Sequence, residues 1–271
     1  MRRDHVHGAA MVAALSSRTD SPMRLICLAA LAASLATPAF AQDVQEEIVQ
    51  TEADAVTVSG GTALVSSYRF RGIDLSDEKV AVQGWVSVTH ESGLYAGTWA
   101  SSIDGFGELG GSNLELDIYV GYRTKVADGV TLDGGVIYYA YPGSTGGKFE
   151  FFEPYAKFGL AAGPAVVTLG VAYAPAQDAI GGNNLYASAD AALPIEGTTL
   201  ALDAHLGRSE GETTLTPGGG YTDWSLGVAG SWNALTARLA YVDTDISDFS
   251  LLGTTPNIVD EAVVVSLTAA F

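Results

Sequence analysis

The chain has 271 residues, of which only 16% are charged, with 32 glycines, one cysteine and a mean hydropathy of +0.22. That is more apolar than folding in water requires, yet beyond the leader no apolar run reaches the ~20 residues of a spanning helix, which points to strands in a membrane. With 31 acidic against 13 basic residues and a formal net charge of −18, the chain lacks the basic face that phosphate binding needs, which excludes nucleic acid as a partner.

The first segment, "MRLICLAALAASLATPAFAQ", has a basic start, an apolar run and the small-residue site Ala39-Phe40-Ala41, the pattern of a cleavable secretory signal peptide. Met23 is the better-placed start, and residues 1–41 form the leader. Cys27 falls inside it, so the exported chain is expected to have no thiol and must gain its stability from hydrogen-bonded structure. Residues 42–59 are polar and acidic without period, the pattern of a flexible lead. Residues 60–271 are expected to form the folded domain.

From Gly60 onward, short runs rich in Val, Leu, Tyr and Phe alternate with turn residues. In "LELDIYVGYR", Leu114, Leu116, Ile118, Val120 and Tyr122 share one face while Glu115, Asp117, Tyr119, Gly121 and Arg123 share the other. "WSLGVAGSW" opposes Trp224, Leu226, Val228 and Trp232 to small residues in the same way. About twelve such runs, centred from Leu64 to Leu267, are joined by alternating short connections ("HESG", "VADG", "AAGP", "PIEG", "WNA") and long ones. That asymmetry is the signature of a transmembrane antiparallel β-barrel of outer-membrane type. The last strand ends on Phe271, like the terminal strand that outer-membrane assembly machinery recognises.

Placing the apolar side of each run toward lipid assigns the interior to Arg69, Arg71, Glu115, Asp117, Arg123, Asp133, Glu153, Lys157, Asp190, Asp203, His205 and Arg238, because a wet lumen accommodates charge that lipid does not. In "YRFRGID", strand alternation sets Arg69 and Arg71 at the mouth of the lumen, and Tyr68 and Phe70 against lipid at the rim. Tyr122, Trp224 and Trp232 are further candidates for an interfacial aromatic belt. A water-filled pore and a salt-bridged interior that braces the wall both satisfy these residues.

Catalytic and metal chemistry have little support. His205 shares a face with Asp203, but no Ser or Cys nucleophile is tied to them by a motif, so no enzyme is expected. The exported chain has no cysteine and no two-histidine spacing for zinc, and "DTDISD" (Asp243, Asp245, Asp248) lacks the glycine turn and distal glutamate of a calcium loop. Neither a metal nor a cofactor is expected.

"SYRFRGIDLSDEKVAVQG", "SGLYAGTWASSID", "LELDIYVGYR" and "GVIYYAYPG", occurring in this order, resemble the TorF-type porin family, a Gcw_chp-type proteobacterial family of unknown function. Val80 stands where that family usually has proline. The resemblance implies an outer-membrane porin of a Gram-negative bacterium. With the residue pattern, it leads us to expect passive diffusion of small hydrophilic solutes or ions with weak cation preference. The alternative is a non-conducting structural or receptor barrel whose acidic outer loops bind a partner or divalent cations. Expected partners are outer-membrane lipid and lipopolysaccharide, the assembly machinery and small hydrophilic solutes.

Overall fold

Alternation along the chain is realised as long antiparallel strands, each hydrogen-bonded to its sequence neighbour until the last meets the first. The computed structural model describes residues 55–104, 109–246 and 258–271. The leader, with Met23, Cys27 and the Ala41 site, and the loop acids Glu108 and Asp248 lie outside the described residues. In chain order the strands are β1 (Val56–Val65), β2 (Arg69–Phe70), β3 (Ile73–Asp74), β4 (Ala81–His90), β5 (Leu94–Ser102), β6 (Leu114–Ala127), β7 (Val130–Ala140), β8 (Phe151–Ala162), β9 (Ala165–Ala174), β10 (Asn184–Pro194), β11 (Leu200–Glu210), β12 (Gly220–Trp232), β13 (Leu235–Thr244) and β14 (Ala262–Ala270). β1 and β4 to β14 form one closed twelve-stranded barrel, and β2 and β3 form a separate two-stranded hairpin. β1 starts at Val56, so its first residues come from the stretch read as a flexible lead.

β1 closes the barrel. It pairs with β4 from Val56↔His90 to Val65↔Ala81, and with β14 from Gly61↔Ala270 to Val65↔Ser266. Gly60 and Phe271 exchange backbone bonds of 3.0 and 2.9 Å at one end of that seam, and Ser66 N–H donates to Val265 at 2.9 Å at the other. Closure of this kind leaves no edge strand, which is what hydrocarbon demands of a sheet.

The β8–β9 seam is completed differently. β8 pairs with β7 from Phe151 onward but meets β9 only from Tyr155. In the uncovered stretch, Phe152 N–H donates to Gln177 Oε1 (2.9 Å), and Gln177 Nε2 donates back to the Phe152 carbonyl (3.0 Å). Pro154, which has no N–H to offer, falls in this stretch where the second ladder has not begun.

Outward side chains such as Leu64, Ile118, Val171, Leu206, Leu226 and Val263 are exposed and apolar, a surface that suits lipid and not water. Inside, large aromatic side chains lie over glycines directly opposite them on the adjacent strand: Trp85 over Gly61, Tyr119 over Gly97, Tyr95 over Gly121 and Tyr155 over Gly135. A Cβ on Gly121 would fall 2.3 Å from Tyr95 Oη. The Tyr95 ring has little freedom to yield, because its hydroxyl donates to Asp133 and bonds the Tyr155 hydroxyl. Gly121→Val is therefore expected to cost about 1–3 kcal/mol by overpacking, read from unfolding in detergent, and Tyr95→Ala in the same chain should recover part of that loss.

Candidate functional site: a hairpin inside the barrel

Between β1 and β4 the chain turns into the barrel. Tyr68, Arg69, Phe70, Arg71, Ile73 and Asp74 are all buried. The placement of Tyr68 and Phe70 against lipid is thus corrected: Tyr68, fully buried, packs on Trp99 of β5 with ring centroids 5.3 Å apart, and Phe70 meets Tyr139 of β7 edge-on at 6.0 Å. The physical reason is a tight turn. Phe70 pairs with Ile73, leaving Arg71 (φ 50) and Gly72 (φ 82) as the two central residues, both with the positive φ of the mirror-image turns that close two-residue hairpins. Strand alternation ends at Phe70, and the interior surrounds the hairpin on both faces.

A left-handed conformation at a non-glycine residue costs roughly 1–2 kcal/mol, and the contacts of Arg71 hold it there. Its Nη2 donates to Glu153 Oε1 and Oε2 at 2.9 and 2.7 Å, and Nη1 donates to Asn184 Oδ1 at 3.0 Å. The guanidinium also lies over the Tyr186 ring, 4.0 Å from its centroid. Arg69 points to another part of the loop end: Nη1 donates to the carbonyl of Asp260 at 2.7 Å, and Nη2 is 3.9 Å from Asp74. Asp74 organises the return of the chain by accepting from the N–H groups of Ser76 (2.8 Å) and Glu78 (2.7 Å). The tip reaches the far wall, where a Cβ on Gly72 would touch Thr244 of β13 and Asp223 of β12. The hairpin therefore crosses the interior, contacting β5 and β7 on one side and β12 and β13 on the other. Outside the strands, Lys79 bridges Asp104 (2.6 Å) and Asp77 (3.0 Å), and the hydrogen bond to Asp104, then that to Asp77, raises its ammonium above the usual lysine range.

The remaining strand candidates face the interior in separate groups. Arg123 pairs with Asp133 at 2.9 Å, and Arg238 clamps Asp203. Lys157 is buried with Nζ 5.2 Å from the centre of the Tyr155 ring. His205 is not joined to Asp203: its Nδ1 meets Asp190 at 2.6 Å, and its Nε2 meets Asp223 and the Tyr186 hydroxyl, each at 2.9 Å. Glu115 and Asp117 are buried side by side on β6. Tyr122 and Trp232 are exposed on the outer face, Trp224 alternates outward between buried Asp223 and Ser225, and Phe271 is exposed beyond β14. Among the described residues, no three His, Cys, Asp or Glu side chains gather as metal ligands.

Sequence reasoning missed Asn184, Tyr186 and Asp223. Asp223 and Tyr186 were within reach of it, since alternation in "YTDWSLG" and "NLYASAD" already sets them opposite outward apolar residues. The role of Asn184, where β10 begins, depends on a hairpin that alternation does not reveal.

A family model described as "Bacterial protein of unknown function (Gcw_chp)" matches residues 49–271. No curated protein matches the sequence. Among solved structures, the chain is similar to the KdgM porin, at TM-score 0.53 and 7% identity over 79% of this chain and 99% of that one. The same values hold for that porin in complex with disordered oligogalacturonate. An outer membrane channel from Pseudomonas putida F1 aligns at TM-score 0.47 and 13% identity over 84% of this chain and 99% of that one.

Removing one member of a buried ion pair strands the other. Arg71→Ala is expected to destabilise the barrel by about 3–5 kcal/mol, whereas Arg71→Met with Glu153→Leu should cost far less. Denaturant unfolding in micelles of both variants checks the order.

Proposed function

The chain belongs to the Gcw_chp family of bacterial proteins of unknown function, and from that premise we propose that it is an outer-membrane channel of porin type, narrowed by its inward hairpin, for small hydrophilic solutes or ions. The observation that carries this reading is the opposition of the two barrel faces: exposed aliphatic side chains outside, and charged and tyrosine side chains inside. A barrel with lipid around it and a polar interior gains from that division. The resemblance of its motifs supports placing it with the TorF-type porins. Export through the leader, insertion by the assembly machinery with Phe271 as its signal, and contact with outer-membrane lipid and lipopolysaccharide belong to the same proposal.

The proposed solutes are cations before anions. Glu115, Asp117, Asp133, Glu153, Asp190, Asp203 and Asp223 are set on the interior against Arg69, Arg71, Arg123, Lys157 and Arg238, and acids of one sign concentrate cations in a low-dielectric passage. A second reading, a non-conducting structural or receptor barrel, is favoured by the hairpin itself. It leaves beside it a cavity of about 70 Å³, lined in part by Arg69, Arg71, Trp85, Trp99 and Asp223.

Single-channel recording in planar bilayers separates the two readings. The wild type is expected to conduct weakly, and replacing Tyr68 to Leu75 with two glycines should raise the conductance several-fold. Silence from both folded proteins would sink the channel reading. Under a salt gradient the reversal potential is expected to show cation preference, and an anion-selective value would overturn that part.

A further inference from the structure

Every interior carboxylate named above is answered by a basic or imidazole partner except two. Asp133, Glu153 and Asp203 have arginines, and Asp190 and Asp223 share His205. Glu115 and Asp117 are 1% and 0% exposed, and among the described residues none of their four carboxylate oxygens has a partner in hydrogen-bond geometry. They sit two residues apart on one face of β6, flanked in register by Ser101 and Trp99 of β5 and by Tyr139 of β7, which are neutral. A third buried group has the same deficiency. Among the described residues the Tyr68 hydroxyl, at the root of the hairpin, has no partner in good hydrogen-bond geometry either; it faces Glu115 and lies within electrostatic reach of both carboxylates. Tyr141 and Glu153 are the other ionisable neighbours of the pair, and the charge of Glu153 is already matched by Arg71.

Two adjacent carboxylates cannot stay buried, charged and unpaired, so something must neutralise them. We propose that Glu115, Asp117 and the Tyr68 hydroxyl form a binding site for a divalent cation of the calcium type, where the hairpin meets β6. The donors are all oxygens, which selects a hard cation over zinc or copper. Two carboxylates match a charge of +2, and calcium tolerates irregular geometry with water completing its shell, whereas magnesium demands a near-octahedral set. A cation here ties the root of the hairpin to the barrel wall. The site stands whether or not the barrel conducts.

The test uses the full barrel folded in detergent after treatment with a chelator. Terbium(III), a luminescent stand-in for calcium, is expected to show emission sensitised by the neighbouring Trp99 and Tyr68, and calcium should displace it. The paired substitution Glu115→Gln, Asp117→Asn should lower that emission at least tenfold while the protein still migrates as a folded barrel on a gel. Tyr68→Phe should weaken binding a few-fold. Equal emission from wild type and the paired variant, or none from wild type, would overturn the proposal and leave the carboxylates held by protons or water. Should the paired variant not fold, calcium must still raise the wild-type Tm by several degrees over chelator. No shift, or the same shift from sodium at equal ionic strength, overturns the site equally.

Discussion

The requirement that no backbone amide face hydrocarbon unpaired governs this molecule, and β1 is where it is met last. One strand satisfies both neighbours, β4 along its whole length and β14 over its second half. Its far end is locked by reciprocal contacts, with Ser66 N–H on the Val265 carbonyl and Val265 N–H on Ser66 Oγ at 3.0 Å. The next residues are Ser67 and Tyr68, and Tyr68 N–H is taken by Ser76 Oγ at 2.8 Å. Closing the sheet and aiming the hairpin inward are therefore one event. The root of the hairpin is fixed by the same residues that remove the last edge.

What the hairpin enters is an interior of mostly paired charges and aromatic rings. Buried ion pairs such as Arg71 with Glu153 and Arg238 with Asp203 add little net stability over apolar replacements, but they are costly to mismatch. They consequently act as register marks: Arg71 can settle only where Glu153 and Asn184 both reach it. The tyrosine and tryptophan rings laid over glycines keep the walls thick without adding apolar bulk to the centre of the lumen.

The barrel was legible in the sequence because lipid on one side and polar groups on the other impose a period of two that neither propensity nor loop variation disguises. Short and long connections showed which turns are tight. The interior placement of Glu115, Asp117, Asp133 and Arg238 followed from the same alternation. "YRFRGID" was misread for a specific reason. Its alternating aromatics and arginines imitate a strand, while the turn at Arg71-Gly72 lacks the Asn-Gly or Asp-Gly pair that usually announces one. His205 was matched to Asp203 because they share a strand face. Same-face neighbours on one strand are nearly 7 Å apart, however, against about 5 Å across strands, so the pairing Asp190↔His205 decides the partner. Cross-strand register depends on turn lengths that sequence locates only to within a few residues.

Where β8 lacks β9, the amide side chain of Gln177 does the work of a strand for Phe152. A backbone ladder yields only by moving many residues together, but this joint is held by the rotamer of one residue in a long loop. The wall of the barrel is thus held around β1 by backbone ladders to β4 and β14, and here by the side chain of one residue. Holding that joint therefore costs the side-chain entropy of Gln177, a term the backbone ladder at the β1 seam does not carry.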